Sequence, residues 1–181
     1  MSGSLTDIPG LAVGHHSMDS TGVTVIRVTD GDGALAAVDV RGGGPGTRET
    51  DLLDPHNTVE RVHAITLAGG SAFGLAAADG VMRGLAQQKV GFPATKNIRI
   101  PIVPGAVIFD LLVGDQRLPG AAQGVEALKD SYRAQEPRRG SVGAGCGATA
   151  GRLRGGVGQA ALKVGDYRVA ALVVANPMGG W

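Results

Sequence analysis

The segment from Leu67 to Leu85 constrains the fold more than any other part of this 181-residue chain. A short apolar run ends at Gly69-Gly70, Ser71 follows, and apolar residues then recur at helical spacing. The recurring residues are Leu75, Ala78, Val81, Met82 and Leu85. The pattern predicts a strand, a tight glycine turn and a buried helix. Ser71 is the predicted N-cap, with its side-chain oxygen accepting a backbone N–H of the first turn.

A serine after two glycines also raises the question of a catalytic or phosphate-binding turn. A nucleophile elbow needs glycines two residues before and after the serine, and Phe73 occupies the second position. Glycines at positions 69, 70 and 74 do not match the dinucleotide pattern G-x-G-x-x-G. An anion site at the helix N-terminus stays open. Close packing of the backbone is the favoured interpretation.

Composition limits the classes of protein to consider. Seventeen basic and 16 acidic residues provide no strong field for nucleic acid or an anionic membrane. The single cysteine, Cys146, excludes an internal disulfide framework and a cysteine-based zinc cluster. The first residues lack a basic region followed by an apolar one, and no apolar run reaches the length of a membrane span. We therefore predict a single soluble domain over residues 1–181, located in the cytoplasm.

Hydrophobic periodicity and turn residues predict an α+β fold. The six predicted strands span residues 22–29, 34–40, 63–68, 105–112, 157–164 and 168–175. The three predicted helices span residues 55–62, 71–87 and 120–134. The turns at 30–33 and 165–166 predict two hairpins, 22–40 and 157–175. Hairpins at both ends favour largely antiparallel sheets covered by helices over a doubly wound parallel sheet.

Residues capable of catalysis are few and scattered. His15 and His16 are adjacent and cannot share one face of a strand, so a polar loop is favoured over a metal site. His63 could approach Ser71 as a base, but nothing in the sequence pairs them. Cys146 lies in a glycine loop that could activate a thiol, although a small buried residue is the favoured interpretation.

Asn176 stands at the end of the last predicted strand and precedes Pro177. A side-chain amide held there is a rigid N–H donor of the kind an oxyanion hole requires. Asn-Pro also favours turns. From the residues alone, the turn is the favoured interpretation.

Six stretches together resemble the DmpA-like aminopeptidases, the P1 or S58 peptidase family that includes β-aminopeptidases and nylon-oligomer hydrolases. They occur in the family's order and cover nearly the whole chain. The stretches are residues 5–14, the glycine loop 42–51, the turn and helix 67–81, the run 102–110, the small-residue loop 142–148 and the strand end 173–176.

The resemblance implies an αββα sandwich of the DmpA and ornithine acetyltransferase type. Family members are made as one precursor that cuts itself into an α and a β chain. The new N-terminal Ser or Thr of the β chain is the nucleophile. The resemblance also implies a homo-oligomer that needs no metal or cofactor and hydrolyses N-terminal amide bonds of small peptides or related amides.

This sequence resembles the α chain alone, so the nucleophile lies outside it. The resemblance gives Asn176 the role of oxyanion donor and places Phe109 in the substrate pocket, where some members have Tyr. Cys146 stands where the family loop commonly has Thr. Three accounts remain open. The chain is completed by its own β chain, it is a truncated, non-catalytic oligomeric module, or the enzyme is an acyltransferase of the ornithine acetyltransferase type.

Overall fold

A five-stranded mixed sheet supports the core, in a computed structural model that describes residues 3–133 and 136–178. Its strands are β1 (Leu11–Ser17), β2 (Gly22–Val28), β3 (Thr47–Arg48), β4 (Ala64–Ala68) and β5 (Gly105–Val107). Their order across the sheet is β1-β2-β4-β5-β3. Neighbours are antiparallel except for β4 and β5, which run parallel.

Strand β2 lies where its sequence predicts, but its partners differ from the prediction. The side chains of Val23 and Val25 are fully buried. Both edges of β2 are hydrogen-bonded, one to β1 and the other to β4. The predicted hairpin 22–40 is therefore wrong, because β4 occupies the edge that residues 34–40 would have needed. Ala34–Leu35 pairs instead with Arg61–Val62, and residues 36–40 have no regular structure.

Two helices cover one face of this sheet. Helix α1 (Ala77–Gln87) follows a 3-10 helix over Ser71–Ala76, and α2 spans Ala121–Asp130. The core between helices and sheet consists mainly of small apolar side chains. Its buried members are Val23, Val25, Ala64, Ala68, Ala77, Ala78, Val81, Leu85, Val103, Ala127 and Leu128.

The two helices cross at a pair of glycines, which explains how small core residues suffice to fill the layer. A Cβ on Gly80 would lie 1.9 Å from the Ala121 carbonyl oxygen. A Cβ on Gly124 would lie 2.0 Å from the Ala77 carbonyl oxygen. Each helix therefore presses its backbone against the other through a missing side chain.

The predicted helix 55–62 is wrong. The chain forms a 3-10 helix over Asp51–Leu53 and then turns, because Asp54 Oδ1 accepts the backbone N–H of His56 at 2.9 Å. Most of residues 54–61 are exposed, so no apolar face stabilises a helix there. The predicted strand 105–112 is shortened to β5. The predicted helix 120–134 ends at Asp130, and its last residue, Ala134, lies outside the described residues.

Smaller elements complete the described chain. Two further pairs of two-residue strands are formed by Phe92–Pro93 with Arg99–Ile100 and by Thr149–Ala150 with Leu153–Arg154. Two further 3-10 helices span Leu5–Asp7 and Gly143–Gly145. Within the described residues, neither helix has the length and apolar character needed to cross a membrane.

The C-terminal hairpin forms as predicted, from β6 (Gly156–Val164) and β7 (Tyr167–Ala175). One face of it contacts the N-terminal turn: Gln159 Oε1 accepts the Leu5 N–H at 3.2 Å, and Arg168 donates to the Asp7 carbonyl at 3.0 Å. The other face is apolar and uncovered. Its exposed side chains are Leu162 48%, Val164 54%, Tyr167 78%, Val169 54% and Val173 56%.

Candidate active site

Asn176 follows β7 directly, and both ends of its side-chain amide are held. Its Oδ1 accepts the Thr149 backbone N–H at 2.8 Å, and its Nδ2 donates to the Phe109 carbonyl oxygen at 3.2 Å. Nδ2 carries two hydrogens, and the second has no acceptor among the residues that the structure describes. The amide is therefore fixed in orientation and retains one N–H for a ligand.

Phe109 lies beside Asn176 because the chain continues past β5 along the end of β4. Ile108 donates its N–H to the Ala68 carbonyl at 2.9 Å and accepts the Ser71 N–H at 3.0 Å. The Phe109 ring is 50% exposed. The two site residues taken from the sequence are thus brought together, through the Phe109 backbone and with the ring open to solvent.

Asp110 is a buried carboxylate that the sequence analysis did not single out. It is 4% exposed, and its Oδ1 accepts the Gly70 N–H at 2.6 Å. Its Oδ2 and the Thr21 hydroxyl have no hydrogen-bond partner among the described residues. A Cβ on Gly69 would lie 1.9 Å from Asp110 Oδ2 and 2.2 Å from Thr21 Oγ1. Asp110 therefore connects the Gly69-Gly70 turn to the loop that carries Phe109.

The comparison with known families identifies the chain. The sequence model of peptidase family S58 matches residues 3–180. The chain belongs to peptidase family S58.

Curated relatives of this S58 chain are about twice its length. An uncharacterized aminopeptidase of Mycobacterium leprae is 49% identical over 97% of this chain and 53% of its own length. The 6-aminohexanoate-oligomer endohydrolase of Paenarthrobacter ureafaciens is 35% identical over 96% of this chain and 48% of its own. The chain therefore spans about half the length of the relatives that it matches.

Solved structures define the fold of the S58 chain. The L-aminopeptidase D-Ala-esterase/amidase of Ochrobactrum anthropi, a prototype of the serine aminopeptidases with a variant Ntn hydrolase fold, superposes with a TM-score of 0.76 at 20% identity. That match covers 96% of this chain and 53% of the other. A Pyrococcus horikoshii protein gives the same TM-score at 24% identity, covering 96% of this chain and 54% of its own. The predicted α+β fold of the DmpA type is confirmed.

Ser71 does not cap a helix in this S58 chain, contrary to the sequence-based prediction. It has a left-handed backbone with φ of 53°, follows Gly70 at φ of 81°, and makes no side-chain capping hydrogen bond. The Ser71–His63 pair is not formed either, since the two residues flank opposite ends of β4. The His63 Nδ1 accepts the Ile102 N–H at 3.1 Å. Burial lowers the pKa of His63, and the negative charge of Asp32 opposes that shift.

Cys146 is buried, as the favoured interpretation predicts. It is 4% exposed in the loop after the 3-10 helix Gly143–Gly145, and its thiol donates to the Ser141 carbonyl at 3.4 Å. The Cys146 carbonyl oxygen accepts Arg154 at 2.7 Å. These contacts make the residue part of the loop's packing.

His15 and His16 lie on β1, so the predicted polar loop is wrong. His15 is buried, and its Nδ1 lies 2.9 Å from the Thr24 hydroxyl. Burial and the nearby Arg138 charge lower the pKa of His15 to about 4, and Asp130 opposes the shift. The described part of the chain contains no group of three or more His, Cys, Asp or Glu placed to hold a metal ion.

Proposed function

We propose that this chain is the α-chain portion of an N-terminal-nucleophile amide hydrolase, in which Asn176 stabilises the oxyanion. The observation that carries the proposal is the held amide of Asn176, with one Nδ2 hydrogen still unpaired among the described residues. Donors fixed before the reaction stabilise developing negative charge without a reorganisation cost. The half-exposed Phe109 ring belongs to the residue whose carbonyl accepts the Asn176 Nδ2, and it provides an apolar surface for the substrate.

The nucleophile comes from a second segment in this proposal. The chain spans about half the length of its curated relatives. A second segment that packs on the uncovered apolar face of the β6–β7 hairpin would remove that face from water. We propose that this segment is the protein's own β chain, released by autoproteolysis with Ser or Thr at its N-terminus. The assembled enzyme is proposed to be a cytoplasmic homo-oligomer without cofactor.

The proposed substrates are small peptides or related amides with a free amino end. Support for the amino end comes from the name of one relative, an aminopeptidase, and support for related amides comes from another, a 6-aminohexanoate-oligomer endohydrolase. Intact-mass measurement of the purified protein, followed by an aminoacyl p-nitroanilide assay, tests the whole proposal. A second polypeptide beginning with Ser or Thr and release of p-nitroaniline are expected.

Two other accounts are outcomes of the same experiment. Absence of the second polypeptide together with absence of turnover would leave a non-catalytic oligomeric module and overturn the hydrolase. Transfer of the acyl group to an added amine in preference to water would make the enzyme an acyltransferase of the ornithine acetyltransferase type.

The role of Asn176 is tested separately in the assembled enzyme. Asn176→Asp keeps an acceptor for the Thr149 N–H but removes the N–H donor, so kcat should fall by about 10²- to 10³-fold. Asn97→Asp, at an exposed loop position, is the matched control and should retain activity. Unchanged kcat in Asn176→Asp, at unchanged melting temperature, would contradict the assignment.

A further inference from the structure

A cavity of about 420 Å³ lies at the start of β4, at the other end of that strand from the Gly69-Gly70 turn. Its walls come from the turn after β2, the segment leading into β4 and the strand at Phe92–Pro93. The cavity is within the size range of small-molecule sites. The side chains relevant to ligand binding are Asp30, Asp32, Glu60, Arg61, His63 and Phe92.

His63 provides an unpaired hydrogen-bond donor to this cavity. The residue is only 2% exposed, and because its Nδ1 accepts the Ile102 N–H, the neutral ring carries its proton on Nε2. Nε2 faces the turn that borders the cavity: a Cβ on Gly33 would lie 3.3 Å from it. Nε2 has no partner among the described residues. Although the residue is buried, the Nε2 atom itself still reaches solvent, so an acceptor on a ligand in the cavity can replace water at this N–H.

Arg61 adds a second donor on the same side. One of its terminal nitrogens donates to the Gly33 carbonyl at 2.7 Å, and its other N–H groups have no partner within the described chain. A planar guanidinium with free N–H groups is suited to a carboxylate. Together, the His63 and Arg61 donors fit one anionic group.

Three carboxylates that line the cavity favour a positively charged group on the ligand: Asp30, Asp32 and Glu60. With Arg61 as the basic lining residue, they give the cavity an excess of negative charge that favours a cationic group. The 36%-exposed ring of Phe92 and the neighbouring Pro93 add an apolar wall. One ligand must therefore carry an anionic acceptor, a cation and an apolar part.

We propose that this cavity binds a zwitterionic amino acid with an apolar side chain. The ligand's carboxylate accepts from His63 Nε2 and Arg61, its ammonium contacts the Asp30, Asp32 and Glu60 carboxylates, and its side chain packs on Phe92. A simple anion would face three carboxylates, and a simple amine would leave the His63 N–H unpaired. The proposal does not depend on the proposed hydrolase activity.

Calorimetric titration of the assembled protein with L-leucine tests the proposal. Saturable binding is expected, and L-leucinamide and 4-methylpentanoate, which lack the carboxylate and the ammonium respectively, should bind at least about fivefold more weakly. Absence of saturable binding, or leucinamide binding as tightly as leucine, would overturn the proposal.

Variants locate the binding site. Asp30→Asn/Asp32→Asn keeps the hydrogen bond from the Asp32 N–H to residue 30 but removes two charges, and should weaken leucine binding about fivefold or more. Asp166→Asn, in the exposed turn of the hairpin, is the control and should bind leucine normally.

Leucine could also bind as a reaction product beside Asn176, and Asn176→Asp tests this alternative. If leucine binds in the cavity, this variant should retain leucine binding. If that variant loses binding and the double variant retains it, the cavity is not the site. The ¹⁵N signal of His63 Nε2 gives an independent readout: it should shift with leucine, and an unmoved signal at saturating leucine would exclude the contact with His63.

Discussion

Ser71 is held by its backbone and not by its hydroxyl. Its N–H donates to the Ile108 carbonyl, and its left-handed φ of 53° directs the chain from β4 into the 3-10 helix. The Ser71 N–H can reach Ile108 because β4 and β5 are paired in parallel. The paired residues are about 40 positions apart in the chain, so no local pattern at Ser71 reveals this contact.

Replacing Ser71 by Ala should therefore have little effect. The substitution removes no capping hydrogen bond, so we expect the free energy of unfolding to change by less than about 0.5 kcal/mol in urea titrations. A loss near 1 kcal/mol, typical of a removed N-cap, would contradict this assignment.

His15 should make the stability of the chain depend on pH. Its folded pKa of about 4 lies below the ordinary value of 6.5, so between these values the unfolded state binds the proton more readily. The contribution is fully present above pH 6.5 and is lost as pH falls toward 4, by up to about 3 kcal/mol. Urea titrations at pH 7.5, 5.5 and 4 measure it.

His15→Gln provides the comparison, because it retains a polar group near Thr24 without the titration. Its free energy of unfolding should fall less steeply between pH 6.5 and 4 than that of the original chain. Equal slopes in the two proteins would show that His15 does not titrate as assigned.

The residues of the candidate site differ in how far the sequence could reveal them. The family resemblance named Asn176 and Phe109, and the structure joins them by a hydrogen bond. Asp110 stands at the end of an apolar run in the sequence, but Asp is mostly exposed in proteins, so nothing in the sequence indicated that this carboxylate is buried. Its partner Gly70 lies 40 positions away, and that pairing depends on the sheet order.

At the level of elements, strong periodicity predicted well, whereas turn chemistry predicted one hairpin correctly, at residues 165–166, and one wrongly, at residues 30–33. Helices α1 and α2 and the β6–β7 hairpin carry long periodic patterns, and all three form near their predicted positions. The turn at 30–33 does form, with the Gly33 N–H donating to Asp30, but the chain does not return along β2. A turn sets a change of direction, whereas burial of β2 on both edges sets its partners.

Alanine substitutions at the glycines between α1 and α2 should distinguish a clash with a backbone carbonyl from a clash with a side chain. Gly80→Ala or Gly124→Ala places a methyl group about 2 Å from a carbonyl oxygen, so each should destabilise by about 1–3 kcal/mol or more despite the higher helix propensity of Ala. The melting temperature measured by circular dichroism reports the loss.

Gly84→Ala is the matched control on α1. Its Cβ would meet the Leu128 Cδ2 at 2.5 Å, and the end of a flexible side chain can move. We expect this variant to be neutral or slightly stabilising. Equal destabilisation by Gly84→Ala and Gly80→Ala would show that the carbonyl contacts have no special cost.

For the molecule as a whole, the uncovered face of the C-terminal hairpin is a surface on which several large apolar side chains are exposed together. Leu162 and Val169 are directly opposite each other on this face and are about half exposed. Large apolar patches of this kind mark interaction sites or cause aggregation. The chain alone should therefore associate as its concentration rises, and the proposed β chain should suppress that association by covering the face.

Leu162→Lys/Val169→Lys should make the isolated chain monomeric in size-exclusion chromatography with light scattering, with unchanged far-ultraviolet circular dichroism. In the presence of the β chain, the same variant should lose assembly. Lys163→Gln, one residue along the strand and therefore on the other face, is the control. Association that persists in the double variant would place the contact elsewhere.

The glycine contact between α1 and α2 also limits how this sequence can change over generations. Gly80 meets the backbone at Ala121, and Gly124 meets the backbone at Ala77, so neither glycine faces a side chain that a second mutation could shorten. A larger residue at one position cannot be compensated at the other. Among related sequences, each of the two glycine positions should therefore tolerate few substitutions on its own account. Correlated substitutions at the two positions are not expected.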